Sequence, residues 1–251
     1  MQSGALAIPK LAAGGLDITF GNWVSFIKAQ GKVGDLRFIA ESYLSTPNSG
    51  FVVYAGKDSG INSAKDLAGK KIAVNAKANI NELLLRAVLD ANDVDFNTVT
   101  VSEMPFPDMA AAVQNGTVDA AATIEPFVTN AQKTIGAKVV TDLTAQGPTE
   151  NFPLSGFATT AKFAKENPNT VAAFQRAMAK GQKDASDRAT VEPLLQEYAK
   201  VDKETASLVH FGEFPTTLDA TRLQRVATLM KTYGLLEKEM DVKPMLITAG
   251  S

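Results

Sequence analysis

Cysteine is absent from this 251-residue chain, and histidine and tryptophan occur once each, as His210 and Trp23. Without cysteine there is no disulfide, thiolate zinc site, iron–sulfur cluster or thiol nucleophile. A Ser-His-Asp triad or a His-rich metal centre would rest entirely on His210. That residue closes the predicted helical stretch KETASLVHF, where a structural or surface role is the simpler reading because helix C-termini favour cationic side chains. No metal and no cofactor is expected. No apolar run reaches the roughly 18 residues that a membrane span requires. Lys and Arg number 25 against 27 Asp and Glu, a net charge of −2, so no basic excess points to nucleic acid. A signal peptide is also missing from view: Met1 is followed by QSGALAIPK, with neither a charged leader nor a long apolar stretch.

Hydrophobic residues make up 45% of the chain, enough to fill one large core or two average ones. Short apolar runs alternate with helical stretches as far as Val140. GLDITFGN, DLRFIAESY, GFVVYAG, KKIAVN, TVTVSEM, VDAAATI and AKVVTD read as strands, and ALAIPKLAA, NWVSFIKAQ, DMAAAVQNG and PFVTNAQKTIG as helices. SAKDLAG reads as a short helix or turn. The strongest helix carries Ile80, Leu83, Leu84, Ala87, Val88 and Ala91 at the spacing of one buried face. Asn79 before it and Glu82 within it match a capping box. This alternation predicts α/β layers with mainly parallel strands. Beyond the turn-rich LTAQGPTENFPLSG and one further strand, GFATTAKF, the chain reads as helical. Pro168 stands behind an Asn167 cap, and a late helix carries Leu223, Val226, Met230 and Tyr233 before Gly234.

A weak repeat lies inside the alternation. KLAAGGLDITF aligns with AVQNGTVDAAA, pairing Leu11 with Val113, Gly14 with Gly116, Leu16 with Val118 and Asp17 with Asp119. Helix–strand junctions commonly share such residues, since glycine ends helices and aspartate starts turns. The other reading is two similar α/β lobes. In the second lobe a strand–helix–strand precedes the repeated unit, and its counterpart would fall before Met1. An N-terminally incomplete first lobe is therefore expected, or a second chain that supplies the missing elements as a dimer or domain swap.

GLDITFGNWVSFI, SAKDLAGKKIAVN, EMPFPDMAAAVQNGTVDAAATIEPF and NPNTVAAFQRAMAK together resemble the extracytoplasmic solute-binding proteins of ABC importers. The resemblance is to the nitrate/sulfonate/taurine-binding group, which shares its fold with thiamine-pyrimidine-precursor binding proteins. It covers essentially the whole chain and rests on the order and spacing of its motifs. It implies an α/β, periplasmic-binding-protein-like type 2 fold with two lobes, a hinge and a helical C-terminal part. Lobe 1 would comprise 1–56 and 155–251 and lobe 2 57–154, with crossovers near GFVVYAG and LSGFATT. It also implies an extracytoplasmic location, a membrane permease as partner, and an export signal, often a lipoprotein one, lost with the missing segment. A pyrimidine-synthesising branch of the fold uses histidine and a cysteine-rich motif, which this sequence lacks, so a binding protein rather than an enzyme is expected. A truncated or domain-swapped interaction protein is the alternative.

Open α/β sheets bind ligands beyond the carboxyl ends of their strands. In lobe 2 this selects Lys77, Ala78 and Asn79, where free N–H groups at a helix start suit a sulfonate or carboxylate. Asn79 could equally cap its own helix, and Lys77 could be solvated. Glu125, at the end of a strand before Pro126 and Phe127, suits an amine or ring N–H, or else is a helix-start carboxylate. In lobe 1 the matching loop offers Gly21 for close backbone approach, Asn22 as donor and acceptor, and Trp23 either to stack on a ligand or to pack the helix. Ser3 is a further candidate. The implied mechanism is hinge closure over a small anionic or zwitterionic ligand.

Overall fold

The computed structural model describes residues 7–30, 32 and 35–248. They fall into two compact units. One takes in Met1–Leu44, Phe152–Arg188 and Glu213–Ser251, the other Ser45–Asn151 and Ala189–Gly212. Residues 45–56 and 189–212 thus group with the second unit and 152–154 with the first, each the other way round from the sequence expectation. Sequence candidate Ser3 lies outside the described residues.

The first unit begins with α1 (Ile8–Ala12), β1 (Ile18–Asn22), α2 (Trp23–Ala29) and β2 (Leu36–Leu44). Its sheet is completed by a strand from much later in the chain, Pro153–Thr160, which lies between β1 and β2 and runs antiparallel to both. Gly21 faces Gly156 across this pairing. The missing side chain at 156 makes room for the Trp23 ring; a β-carbon there would overlap Cζ2 and Cη2 of the indole. Trp23 packs on Phe38 at 5.1 Å and Phe26 at 6.0 Å between ring centroids, and all three are fully buried. Helix α2 buries Trp23, Val24, Phe26 and Ile27, each worth roughly 1.5–3 kcal/mol of transfer free energy.

The second unit holds β3 (Val52–Ala55), β4 (Lys71–Val74), α3 (Ile80–Asp90), β5 (Thr100–Glu103), α4 (Met109–Gln114), β6 (Ala120–Thr123), α5 (Phe127–Ile135) and β7 (Lys138–Asp142). The 153–160 strand of the first unit is β8. Sheet order in the second unit is β5-β4-β6-β3-β7. Ile80, Leu83, Leu84, Ala87 and Val88 of α3 are buried as the sequence spacing selected, but so are Leu85 and Leu89, while Ala91 at the helix end is exposed, so α3 is covered on more than the one expected face. Gly136 ends α5 in the left-handed region at φ 63.

The helical remainder is α6 (Ala161–Glu166), α7 (Pro168–Ala185), α8 (Arg188–Leu194), α9 (Lys203–Leu208) and α10 (Ala220–Thr232). In the first unit α7 lies on β2, with Phe174 edge-on to Phe157 at 5.1 Å and Val171 buried beside Ile39. Gln175 Nε2 donates to the carbonyls of Ile39 at 2.9 Å and Ile247 at 2.6 Å, fastening the C-terminal segment to β2. Pro168 opens α7 as expected, although Asn167 makes no side-chain cap bond. Asp219 caps α10, which buries Leu223, Val226 and Met230.

The expectation of mainly parallel strands is corrected. Only β4–β5 and β4–β6 run parallel; every pairing of β8 and of β3 is antiparallel. In each sheet one strand is inserted between the two strands of a strand–helix–strand unit, β8 in β1–α2–β2 and β3 in β6–α5–β7. Hydrophobic periodicity carries no direction, so the insertion left no trace in the pattern. The repeat itself corresponds in structure: α1–β1–α2–β2 follows the same order as α4–β6–α5–β7. Gly14 and Gly116 sit in the same left-handed conformation, at φ 74 and 75, where each closes its helix.

Candidate functional site

In the second unit the parallel strands β4, β5 and β6 end side by side, and the residues that follow them form the candidate site. After β4 come Asn75, Lys77, Ala78 and Asn79. Ala78 holds φ 50, a left-handed conformation that is costly for a residue with a β-carbon. Asn79 Oδ1 accepts from the N–H of Ile80 at 2.8 Å. Glu82 Oε2 reaches one residue beyond the predicted cap and accepts from Ala78 N–H at 2.8 Å. Its Oε1 pairs with Arg86 at 2.6 Å, and that guanidinium lies 3.8 Å over the Phe96 ring. The N–H of Lys77 donates to Glu103 Oε2 at 3.2 Å, while the Lys77 side chain is exposed. A carboxylate of the chain therefore takes the Ala78 N–H, one of the groups around Ala78 and Asn79 that the sequence reading offered to an anion, and a second takes the neighbouring Lys77 N–H. The reason is local, since Glu82 and Glu103 are the nearest acceptors to a positive helix start.

Glu125, after β6, is the most organised polar group of the site. Its side chain is 9% exposed. Oε2 accepts from Thr129 N–H at 3.0 Å and Oε1 from the Thr129 hydroxyl at 2.9 Å. His210 Nδ1 stands 3.9 Å from Oε1, which brings the sole histidine beside the carboxylate. The Glu125–Pro126 peptide is cis. Gly50, at φ 77, presses on the same side chain; a β-carbon there would overlap Glu125 Cγ. Phe127 stacks on Phe106 at 5.5 Å with the rings 20° apart. Two polar atoms of the neighbouring strand ends, Asn75 Oδ1 and Thr123 Oγ1, are buried without a hydrogen-bond partner among the described residues, a rare condition that calls for an occupant. Sequence reasoning missed Gly50 and His210 as neighbours of Glu125, and the unpartnered Thr123 hydroxyl two residues before it. Only the Ser-Gly turn of TPNSGF signalled the approach of Gly50.

The first-unit candidates have structural duties. Asn22 caps α2 by accepting from Ser25 N–H at 2.9 Å. A β-carbon at Gly21 would lie 2.8 Å from Phe26 Cζ, so the glycine admits the core ring. Trp23 is fully buried and presents no stacking face, and its Nε1 has no hydrogen-bond partner among the described residues. The unit's notable charge is Glu41, whose buried carboxylate pairs with Arg222 at 2.9 Å. Loss of hydration pushes the Glu41 carboxyl above its ordinary range, against the pull of that guanidinium.

The profile of the family described as NMT1/THI5 like matches residues 2–189. A Bacillus subtilis (strain 168) protein named as an aliphatic sulfonates-binding protein is 30% identical over 98% of this chain and 74% of its own length. The crystal structure of the periplasmic aliphatic sulphonate binding protein SsuA from Escherichia coli superposes with a TM-score of 0.80 at 21% identity, over 98% of this chain and 84% of that one. The alkanesulfonate-binding protein SsuA from Xanthomonas axonopodis pv. citri, bound to MOPS, gives 0.77 at 19% identity, over 98% and 86%. The fold is that of these periplasmic binding proteins. Among the described residues no helix is long and apolar enough to cross a membrane.

Proposed function

The chain belongs to the NMT1/THI5-like family, and from that premise we propose that it is the extracytoplasmic solute-binding component of an ABC importer, with aliphatic sulfonates as its ligand class. The observation that carries this reading is the 30% identity, over nearly the whole chain, to a protein named for aliphatic sulfonates. No bond is made or broken in such a role. Ligand capture favours a closed form that a membrane permease recognises.

The site chemistry supports one refinement. A sulfonate needs donors for its oxygens, and the unpartnered Thr123 hydroxyl is of that kind, whereas the unpartnered Asn75 Oδ1 is an acceptor that suits a cationic or N–H group. The Glu125 carboxylate, oriented by Thr129, would repel a sulfonate but attract a cationic group on the same molecule. An aminosulfonate such as taurine satisfies both, and nitrate satisfies only the first. A thermal-shift panel of ethanesulfonate, taurine, nitrate, ethylamine and an aminopyrimidine tests this. The expected result is stabilisation by both sulfonates, with taurine the stronger. Stabilisation by nitrate or the pyrimidine alone would overturn the sulfonate assignment, and equal effects of the two sulfonates would remove Glu125 from recognition.

A further inference from the structure

On the premise that this chain captures sulfonates with Glu125 facing the ligand's cation, we propose that His210 sets the specificity of the site by its charge. The neutral imidazole leaves the Glu125 carboxylate to a ligand's ammonium group, and the imidazolium takes that carboxylate for itself. His210 is the chain's one histidine, and histidine is the side chain whose ordinary charge change falls between about pH 5 and pH 8.

Helix α5 brings the two groups together. Its first turn orients Glu125 through the N–H and hydroxyl of Thr129. Its later part holds α9, where Lys133 Nζ reaches Asp202 at 3.3 Å, Glu204 at 2.8 Å and the Thr205 hydroxyl at 3.1 Å. Val209, buried just beyond α9, anchors the backbone from which His210 projects with 68% of its side chain exposed. At 3.9 Å from Glu125 Oε1, Nδ1 is beyond hydrogen-bond distance. The neutral ring therefore leaves Oε1 unengaged, whereas the protonated ring is attracted to it. A carboxylate offers about four acceptor positions, and Thr129 fills two of them. An imidazolium both competes with an ammonium for the remainder and repels it. The other charges around the site hold steady over the same interval. The N–H and hydroxyl of Thr205 keep the Asp202 carboxyl down at about 2, and Glu204 raises Lys133 further above its ordinary range. Lys203 on α9, Lys77, Glu82 and Glu103 around the start of α3, and Asp108 beside Phe106 are of types that do not ordinarily titrate there. The 45–51 segment, which presses Gly50 on Glu125, has no charged side chain.

Isothermal titration of taurine and of ethanesulfonate at about pH 7.5 and about pH 5.5 tests this gate across the histidine range, since an ammonium and a sulfonate keep their charges over that interval. In the wild type the ratio of taurine to ethanesulfonate affinity is expected to fall about fivefold at the lower pH. In His210→Gln the ratio is expected to change by less than about twofold, with far-UV circular dichroism matching the wild type. A second readout needs no ligand: the side-chain carboxyl carbon resonance of Glu125, assigned by its loss in Glu125→Gln, should move between the two pH values in the wild type and stay in place in His210→Gln. A wild-type ratio that does not change with pH, a fall that persists in His210→Gln, or a carboxyl resonance that behaves alike in both proteins would each overturn the proposal. Binding of neither sulfonate at either pH would instead refute the sulfonate reading, and the carboxyl resonance alone then decides whether His210 governs Glu125.

Discussion

Replacing Gly50 with alanine isolates the contact that holds Glu125 in place. Gly50 sits at φ 77, a conformation that costs an L-residue roughly 1–2 kcal/mol. The new β-carbon would also overlap Glu125 Cγ and approach Cδ and Cβ at 3.2 and 3.3 Å. Relief requires the Glu125 side chain to swing away from Thr129, giving up the two hydrogen bonds that orient the carboxylate. Overpacking of this kind costs about 1–3 kcal/mol, so the combined destabilisation is about 2–5 kcal/mol. The two causes separate in a double-mutant cycle. In a Glu125→Ala background the overlapping Cγ is gone and the backbone cost remains, so Gly50→Ala should then lose only about 1–2 kcal/mol. Urea unfolding of the wild type, both single variants and the double variant measures the coupling, expected at about 1–3 kcal/mol in favour of the double variant. Strict additivity would refute the claim that Gly50 positions Glu125.

Two further substitutions probe the first unit. Arg222→Met leaves the buried Glu41 carboxylate without its partner, an expected loss of about 3–5 kcal/mol at pH 7. Burial raises the folded pKa of Glu41 above its ordinary 4.5, so its contribution is most favourable below that value and declines as pH rises through the folded pKa. The variant should therefore lose much less at pH 4 than at pH 7 in urea titrations, and equal losses would contradict the assignment. Gly156→Ala forces a methyl into the Trp23 ring, with an expected cost of about 3 kcal/mol. Because Trp23 is the only tryptophan and is fully buried, its emission should shift to the red in this variant; an unchanged spectrum would mean the ring does not depend on the slot.

Much of this organisation was legible in the residues. The buried Leu83, Leu84, Ala87 and Val88 of α3, the apolar side of α10 with its Gly234 stop, and the matched Gly14 and Gly116 turns all follow from local chemistry that neighbours do not overrule. Strand direction was hidden, because β3 and β8 enter their sheets from sequence-distant positions and their side-chain pattern is the same either way round. Trp23 was open to two readings as a residue following a strand end. Its neighbours Val24, Phe26 and Ile27 leave α2 with little polar surface, and such a helix is buried. Near α3 the sequence showed that a carboxylate would engage the helix start. Which N–H it would reach depended on the left-handed turn at Ala78, which no propensity scale assigns to alanine. The Glu125 site was half visible: the strand-end carboxylate stood out, while Gly50 and His210 converge on it only through the fold.

Isothermal titration of taurine into the purified chain bears most directly on the central claim. Saturable one-to-one binding is predicted, with the affinity for taurine falling at least tenfold in Glu125→Gln while that for ethanesulfonate is retained. Absence of binding by either sulfonate would contradict the assignment of this chain as a sulfonate-binding component.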